Sequence, residues 1–144
     1  MLFAARDQGL DQPNAAIAIS AWTDLANTGE SVTSIAEDDP QAGSVSMLND
    51  LAIQYLGGAD ACHPLASPLY GDYAGLPPML MQVGGAEMLL SDTTRAAERA
   101  RSAGVDVVEE IWDEMFHVWH QYAPMLPEGQ QAIDRIGEFI NQHA

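Results

Sequence analysis

The sequence predicts an α/β fold in which about three parallel strands alternate with flanking helices. Three short apolar runs have the length of strands, and each is bounded by proline or glycine. A helical stretch lies between the second and third runs, which completes a strand-helix-strand unit. The three runs are residues 15–20, 79–83 and 105–112.

The first run, AAIAIS, comes just after Pro13 and Asn14. Its near-continuous apolar character suits a strand buried in a parallel sheet. The preceding segment, MLFAARDQGL, is typical of the last turns of a helix. Because nothing precedes this helix, the first strand would expose an unpaired edge, to which another chain or a second copy could add a strand. We therefore expect part of the sheet to lie upstream of Met1.

The second and third runs predict neighbouring strands. MLMQV follows two prolines and stops at Gly84, whereas VDVVEEIW begins after Gly104 and mixes β-branched residues with acids, as a strand nearer a sheet edge does. The helix between them, DTTRAAERARSAG, is predicted to begin with Asp92 as its cap and to end at Gly104.

Two further helices are predicted from apolar spacing. One ends at Gly57, and the other starts near Pro127 and closes the chain. The apolar positions are Val45, Leu48, Ala52 and Tyr55 in the first, and Ile133, Ile136 and Ile140 in the second. No repeat or low-complexity stretch divides the chain, so residues 1–144 are expected to form a single domain.

The charge of the chain argues against two classes of partner. The formal net charge is -16, and the only basic side chains besides histidine are five arginines. Such a chain repels phosphate backbones and anionic lipid surfaces, so no nucleic-acid partner is expected. The acidic residues gather in two runs typical of a solvated surface, Glu37, Asp38 and Asp39 in one and Glu109, Glu110, Asp113 and Glu114 in the other.

No apolar stretch reaches the ~18 residues that a membrane span needs, and the first ten residues lack the apolar run of a signal peptide. We therefore expect a cytoplasmic protein without a membrane span.

Cys62 is the only cysteine, which excludes an intrachain disulfide. A metal site built on Cys62 and His63 stays open as a minor alternative, although adjacent residues rarely converge on one ion. No cofactor motif is found, so neither a cofactor nor a metal is expected.

Three segments resemble a known family in the same order. AAIAISAWTDLANTGES (15–31) is similar to a strand and loop usually written LSPWTDL, and HPLASPLYGDYAGLPPMLMQVGGAEMLLSD (63–92) is similar to the segment leading to a catalytic acid. MFHVWH (115–120) resembles the loop of a catalytic histidine, often GMFHVW. The chain thus resembles the carboxyl-terminal portion of the hormone-sensitive-lipase-like (family IV) esterases of the α/β-hydrolase fold.

This resemblance implies that Glu87 is the catalytic acid and His117 the catalytic histidine of a Ser-His-acid triad. Family members order the triad as serine, acid, histidine, with the acid and histidine after neighbouring strands. The family's spacing between the two favours Glu87 over Asp92, although most members use aspartate as the acid.

The resemblance also shows what this sequence lacks. It contains no G-x-S-x-G turn for a nucleophile and no HGGG-type loop for an oxyanion hole. We therefore expect a partial α/β-hydrolase fold without the amino-terminal strands, the cap and the nucleophile elbow. The isolated chain should be inactive, and its full-length parent should act on a small-molecule ester. The alternative is a non-catalytic binding or oligomerisation module that uses the open sheet edge.

Two positions depart from the family pattern. Ala21 replaces the usual proline of the SPW turn, and Asp113 with Glu114 replaces a common Pro-Gly before Met115. The loop that carries His117 should therefore be looser and more acidic than in most members.

Overall fold

A computed structural model describes residues 1–35 and 43–144 of the chain. At its centre is a parallel sheet with the strand order β1-β2-β3. The strands are β1 (Ala16–Ile19), β2 (Met79–Gly84) and β3 (Val107–Trp112). The predicted partial α/β-hydrolase fold with three parallel strands is confirmed. The acidic run Glu37, Asp38 and Asp39 lies outside the described residues.

The register of the sheet aligns the carboxyl ends of all three strands. Ile19 of β1 pairs with Gln82 of β2, and Gly84 at the end of β2 pairs with Trp112 at the end of β3. The loops that follow the three strands therefore leave the sheet at one edge, where open α/β sheets gather their ligands. We call this edge the carboxyl rim of the sheet.

Helices cover both faces of the sheet. The helices are α1 (Leu2–Asp7), α2 (Ser31–Ser34), α3 (Val45–Leu56), α4 (Leu90–Ser102) and α5 (Pro127–His143), with short 3-10 helices at Pro68–Tyr70 and Trp119–Tyr122. On one face, fully buried alanines of α4 lie in the same core as Met79 and Met81 of β2 and Phe3 of α1. On the other face, the Gln82 side chain donates to the Ala132 carbonyl of α5.

Asp92 does not cap its helix, contrary to the expectation. α4 begins at Leu90, so Asp92 lies within its first turn, and the capping position is taken by Leu89. The Asp92 carboxylate instead accepts hydrogen bonds from the backbone amides of Thr23 and Asp24 in the loop after β1. The Asp92 carboxylate therefore bonds to donors that are distant in sequence and does not cap its own helix.

α3 buries most of its expected face, whereas α5 buries a different one. Leu48 and Ala52 of α3 are buried as expected, but Tyr55 is 72% exposed. Ile133 and Ile140 of α5 are 40% and 46% exposed, and the helix buries Gly129, Ala132 and Phe139 instead. A side chain at Gly129 would lie 3.0 Å from the Ala123 backbone, so the first turn of α5 packs closely against the preceding loop.

Among residues 1–35 and 43–144, no helix has the length and apolar character to cross a membrane. In the same residues, β1 and β3 each pair with β2 alone. Pairing of the outer edge of β1 with another chain therefore stays a prediction.

Gly84 and Gly137 make a matched pair for testing this architecture. A Cβ at Gly84 would lie 2.1 Å from the Met115 carbonyl oxygen, whereas a Cβ at Gly137 in α5 meets nothing within 4 Å. We expect Gly84→Ala to lower the free energy of unfolding by about 1–3 kcal/mol through overpacking. Gly137→Ala should raise it by about 0.5–1 kcal/mol, because alanine favours a helix. Urea unfolding followed by circular dichroism measures both, and equal effects would contradict the close approach at Gly84.

Candidate functional site

Glu87 and His117 meet at the carboxyl rim. Glu87 follows β2, His117 follows β3, and the Glu87 Oε1 and His117 Nδ1 atoms lie 3.6 Å apart. The Glu87 side chain is fully buried, whereas 28% of the His117 side chain is exposed. Neither of the two facing atoms has a hydrogen-bond partner in the described part of the chain. The structure thus brings together the two residues that the sequence nominated as acid and histidine.

Backbone hydrogen bonds join the loop that carries Glu87 to the loop that carries His117. The Gly85 amide donates to the Trp112 carbonyl over 2.8 Å, and the Ala86 amide donates to the Met115 carbonyl over 3.0 Å. The close contact requires a residue without a side chain at Gly84, because a Cβ there would overlap the Met115 carbonyl. The two loops therefore form a single unit that sets the distance between the carboxylate and the imidazole.

The second oxygen of Glu87 is held by two donors. Glu87 Oε2 accepts the Gly84 amide at 3.1 Å and the Ser20 hydroxyl at 2.7 Å. Ser20 directly follows β1, and its Oγ atom also accepts the Val118 amide at 3.1 Å. Residues from the ends of all three strands thus converge on one carboxylate.

Sequence reasoning gave Ser20 no role, because it lies in no nucleophile elbow. The signal that could have found it is its place directly after a strand, where its side chain reaches the same rim as Glu87 and His117.

Three residues of the rim adopt left-handed backbone conformations without being glycine. They are Ser20 with φ 46°, Glu114 with φ 60° and Val118 with φ 52°. The conformation is least favourable for Val118, because its side chain branches at Cβ. Glu114 stands where the resembled esterases commonly have glycine, and glycine adopts the left-handed conformation of Glu114 at a lower cost. Backbone strain of this kind clusters at functional sites when the surrounding contacts impose it.

A buried polar cluster anchors the 3-10 helix that follows His117. His120 Nε2 lies 2.9 Å from Gln82 Oε1, and Gln82 Nε2 donates to Glu110 Oε2 and to the Ala132 carbonyl. Because the amide nitrogen of Gln82 serves these two acceptors, its oxygen must accept, and His120 carries its proton on Nε2. Burial lowers the pKa of His120, which favours this neutral form. His120 is therefore a buried link to β2.

Asp92, the other candidate acid, has a different environment. Its Oδ2 atom accepts the Thr23 and Asp24 amides at 2.7 Å and 2.8 Å, which fastens the loop after β1 to α4. Burial raises the pKa of Asp92 to about 6, although these two hydrogen bonds act in the opposite direction. The contacts of Asp92 thus lie in the loop after β1, and the carboxylate that faces His117 is Glu87.

Asp24 lies beside Asp92, and its pKa is shifted in the opposite direction. Burial raises the pKa of Asp24, but hydrogen bonds from Thr28, Tyr70 and Ala26 outweigh burial and hold that pKa below its ordinary value. Arg95 also contacts the Asp24 carboxylate at 3.3 Å. Asp24 is therefore the ionised member of this neighbouring pair.

The described residues offer no converging metal ligands. Within 1–35 and 43–144, no three side chains of histidine, cysteine, aspartate or glutamate are placed to hold one ion. Cys62, the starting point of the metal alternative, is an exposed free thiol.

Comparisons with known proteins identify the family to which the chain belongs. A family model described as α/β hydrolase fold matches residues 1–121. An acetyl-hydrolase from Streptomyces hygroscopicus is 47% identical over 139 residues, which cover 96% of this chain and 46% of that protein. The crystal structure of an esterase from the bacterial hormone-sensitive lipase family is 49% identical with a TM-score of 0.95, and the match covers 99% of this chain and 48% of that one.

A second similar structure is that of EstE5, from a crystal soaked with p-nitrophenyl butyrate. It is 48% identical with a TM-score of 0.94, over 99% of this chain and 47% of that one. The chain therefore spans about half the length of the proteins it matches, and the matched half is their carboxyl-terminal part.

The raised pKa of Asp92 predicts a specific dependence of stability on pH. Between its ordinary value of 3.8 and about 6, the folded protein binds more protons at Asp92 than the unfolded chain does. The contribution of Asp92 to stability is therefore complete below pH 3.8 and falls by about 3 kcal/mol as the pH rises through 6.

We expect Asp92→Asn to remove this dependence, because an amide oxygen still accepts both backbone donors but does not titrate. Relative to the wild type, the variant should gain stability between pH 4 and pH 7. Urea unfolding of both proteins across this range measures the difference, and parallel stability curves would contradict the prediction.

Proposed function

Since this chain belongs to the α/β-hydrolase-fold family and resembles hormone-sensitive-lipase-like esterases over nearly its whole length, we propose that it supplies the acid and the histidine of a carboxylic ester hydrolase. The serine nucleophile and the oxyanion hole come from another part of the full protein, because this sequence contains neither motif. The observation that carries the proposal is the facing pair of Glu87 Oε1 and His117 Nδ1, two buried polar atoms with no other partner in the described residues.

The pair has the chemistry that acyl transfer requires. Glu87 accepts a hydrogen bond from the N–H at His117 Nδ1, so the proton stays on Nδ1 and Nε2 keeps a free lone pair. Nε2 then takes the proton of the serine hydroxyl as the serine oxygen attacks the ester carbonyl, and passes that proton to the departing alkoxide. Water repeats the sequence on the acyl-serine and releases the acid. Glu87 stabilises the imidazolium that forms in both halves of the reaction.

The separation of the two side chains is compatible with this role. An ordinary N–H···O hydrogen bond spans about 2.9 Å, so the observed 3.6 Å closes with a movement of about 0.7 Å. Glu87 Oε2 is already fixed by Ser20 and Gly84, so the movement belongs to the imidazole. Because Nδ1 is buried, the exposed 28% of the His117 side chain lies on its other atoms, and a nucleophile would approach from that side.

A fusion protein tests the proposal. The part of the Streptomyces hygroscopicus acetyl-hydrolase that precedes its matched region is joined to Met1 of this chain, and p-nitrophenyl butyrate is the probe ester. We expect the fusion to release p-nitrophenol, and His117→Ala or Glu87→Gln to lower kcat by about 1,000-fold or more. The 144-residue chain by itself should show no turnover.

The matched controls are Glu98→Gln, an exposed carboxylate of α4, and His63→Ala, an exposed imidazole in the loop that follows α3. Both should leave kcat unchanged. A folded fusion that is inactive, or that keeps its activity after His117→Ala, would refute the proposed role of the pair.

A further inference from the structure

We propose that Ser20 is a positioning residue that holds the carboxylate of Glu87 and the loop of His117 in a fixed relation. The inference rests on the proposed function and extends it to the residue that directly follows β1. It concerns one hydroxyl group that contacts both halves of the pair, the acid directly and the histidine through the next residue, Val118.

The hydrogen-bond directions at Ser20 are fully determined. A backbone amide can only donate, so Ser20 Oγ accepts from Val118 and must use its single proton for Glu87 Oε2. The residue is 4% exposed, which keeps bulk water from competing for either bond. One hydroxyl thus orients the carboxylate so that Oε1, and not Oε2, faces His117.

The bond to Val118 fixes the loop at its most strained point. Val118 is a β-branched residue with φ 52°, a conformation that it adopts only under external constraint. The Val118 amide donates to Ser20, and the preceding residue, His117, faces Glu87. Without the hydroxyl, the backbone around Val118 loses a restraint against its preferred conformation, and His117 moves with it.

The backbone conformation of Ser20 allows the role of the hydroxyl to be tested separately from the shape of the turn. Ser20 itself has φ 46°, which glycine adopts at no steric cost. Glycine would therefore be the easier residue here if only the shape of the turn mattered. Substitution by glycine removes the hydroxyl while relieving the backbone, and so separates the two explanations.

The test uses the fusion protein with p-nitrophenyl butyrate. We expect Ser20→Gly and Ser20→Ala each to lower kcat by about 10-fold to 100-fold, with KM changed by less than about twofold, because the loss is one of alignment. Amide hydrogen exchange in residues 115–119 should become faster in both variants. The melting temperature of Ser20→Gly should be equal to or higher than that of Ser20→Ala.

Ser67→Ala is the matched control. The Ser67 hydroxyl is also fully buried and also bridges two groups, but these are the Leu25 amide and the Ala61 carbonyl and not Glu87 and Val118. This variant should lose stability but keep its kcat and its hydrogen exchange in residues 115–119.

Two results would overturn the role of Ser20. One is a Ser20→Gly variant with kcat within about twofold of the parent, and the other is an equal fall of kcat in Ser67→Ala. The two proposals fail separately. Activity that survives His117→Ala refutes the proposed function, whereas loss after His117→Ala with full activity after Ser20→Gly refutes only the positioning role.

Discussion

Two backbone hydrogen bonds between the loops after β2 and β3 are the constraint on which the candidate site depends. They run from Gly85 to Trp112, which extends the strand pairing by one residue, and from Ala86 to Met115, which joins the loops beyond it. Because the loops are joined through their backbones, the distance from Glu87 to His117 does not depend on side-chain packing alone. A glycine at position 84 is the local requirement that lets the loops approach so closely.

The carboxylate of Glu87 shows how a buried charge is accommodated in this fold. Removing a carboxylate from water is costly unless donors replace the lost hydration. Two donors serve Oε2, one from the backbone of the same loop and one from the end of β1, while Oε1 is left facing His117. The same donors that stabilise the buried carboxylate therefore also decide which of its oxygens is available for chemistry.

The sequence predicted those features that depend on local pattern. Strands and helices were located within a few residues because apolar runs, proline and glycine act over short distances, and the carboxyl rim followed from the alternation of strands with helices. The role of Asp92 was predicted wrongly and that of Ser20 was missed, because their partners lie far along the chain, at Thr23 for the first and at Glu87 for the second. The exposed isoleucines of α5 show that spacing identifies a helix more reliably than the face it buries. The roles of Glu87 and His117 came from family resemblance and stay proposals.

The left-handed residues at positions 20, 114 and 118 all lie at the carboxyl rim, whereas the centre of the sheet is formed by the fully buried strand β2. Strained loops open at lower free energy than the strands that carry them. On warming, the rim should therefore lose its shape while the sheet is still intact. The temperature at which the site loses its geometry is then set by the stability of the rim loops. A larger hydrophobic core would do little to raise that temperature.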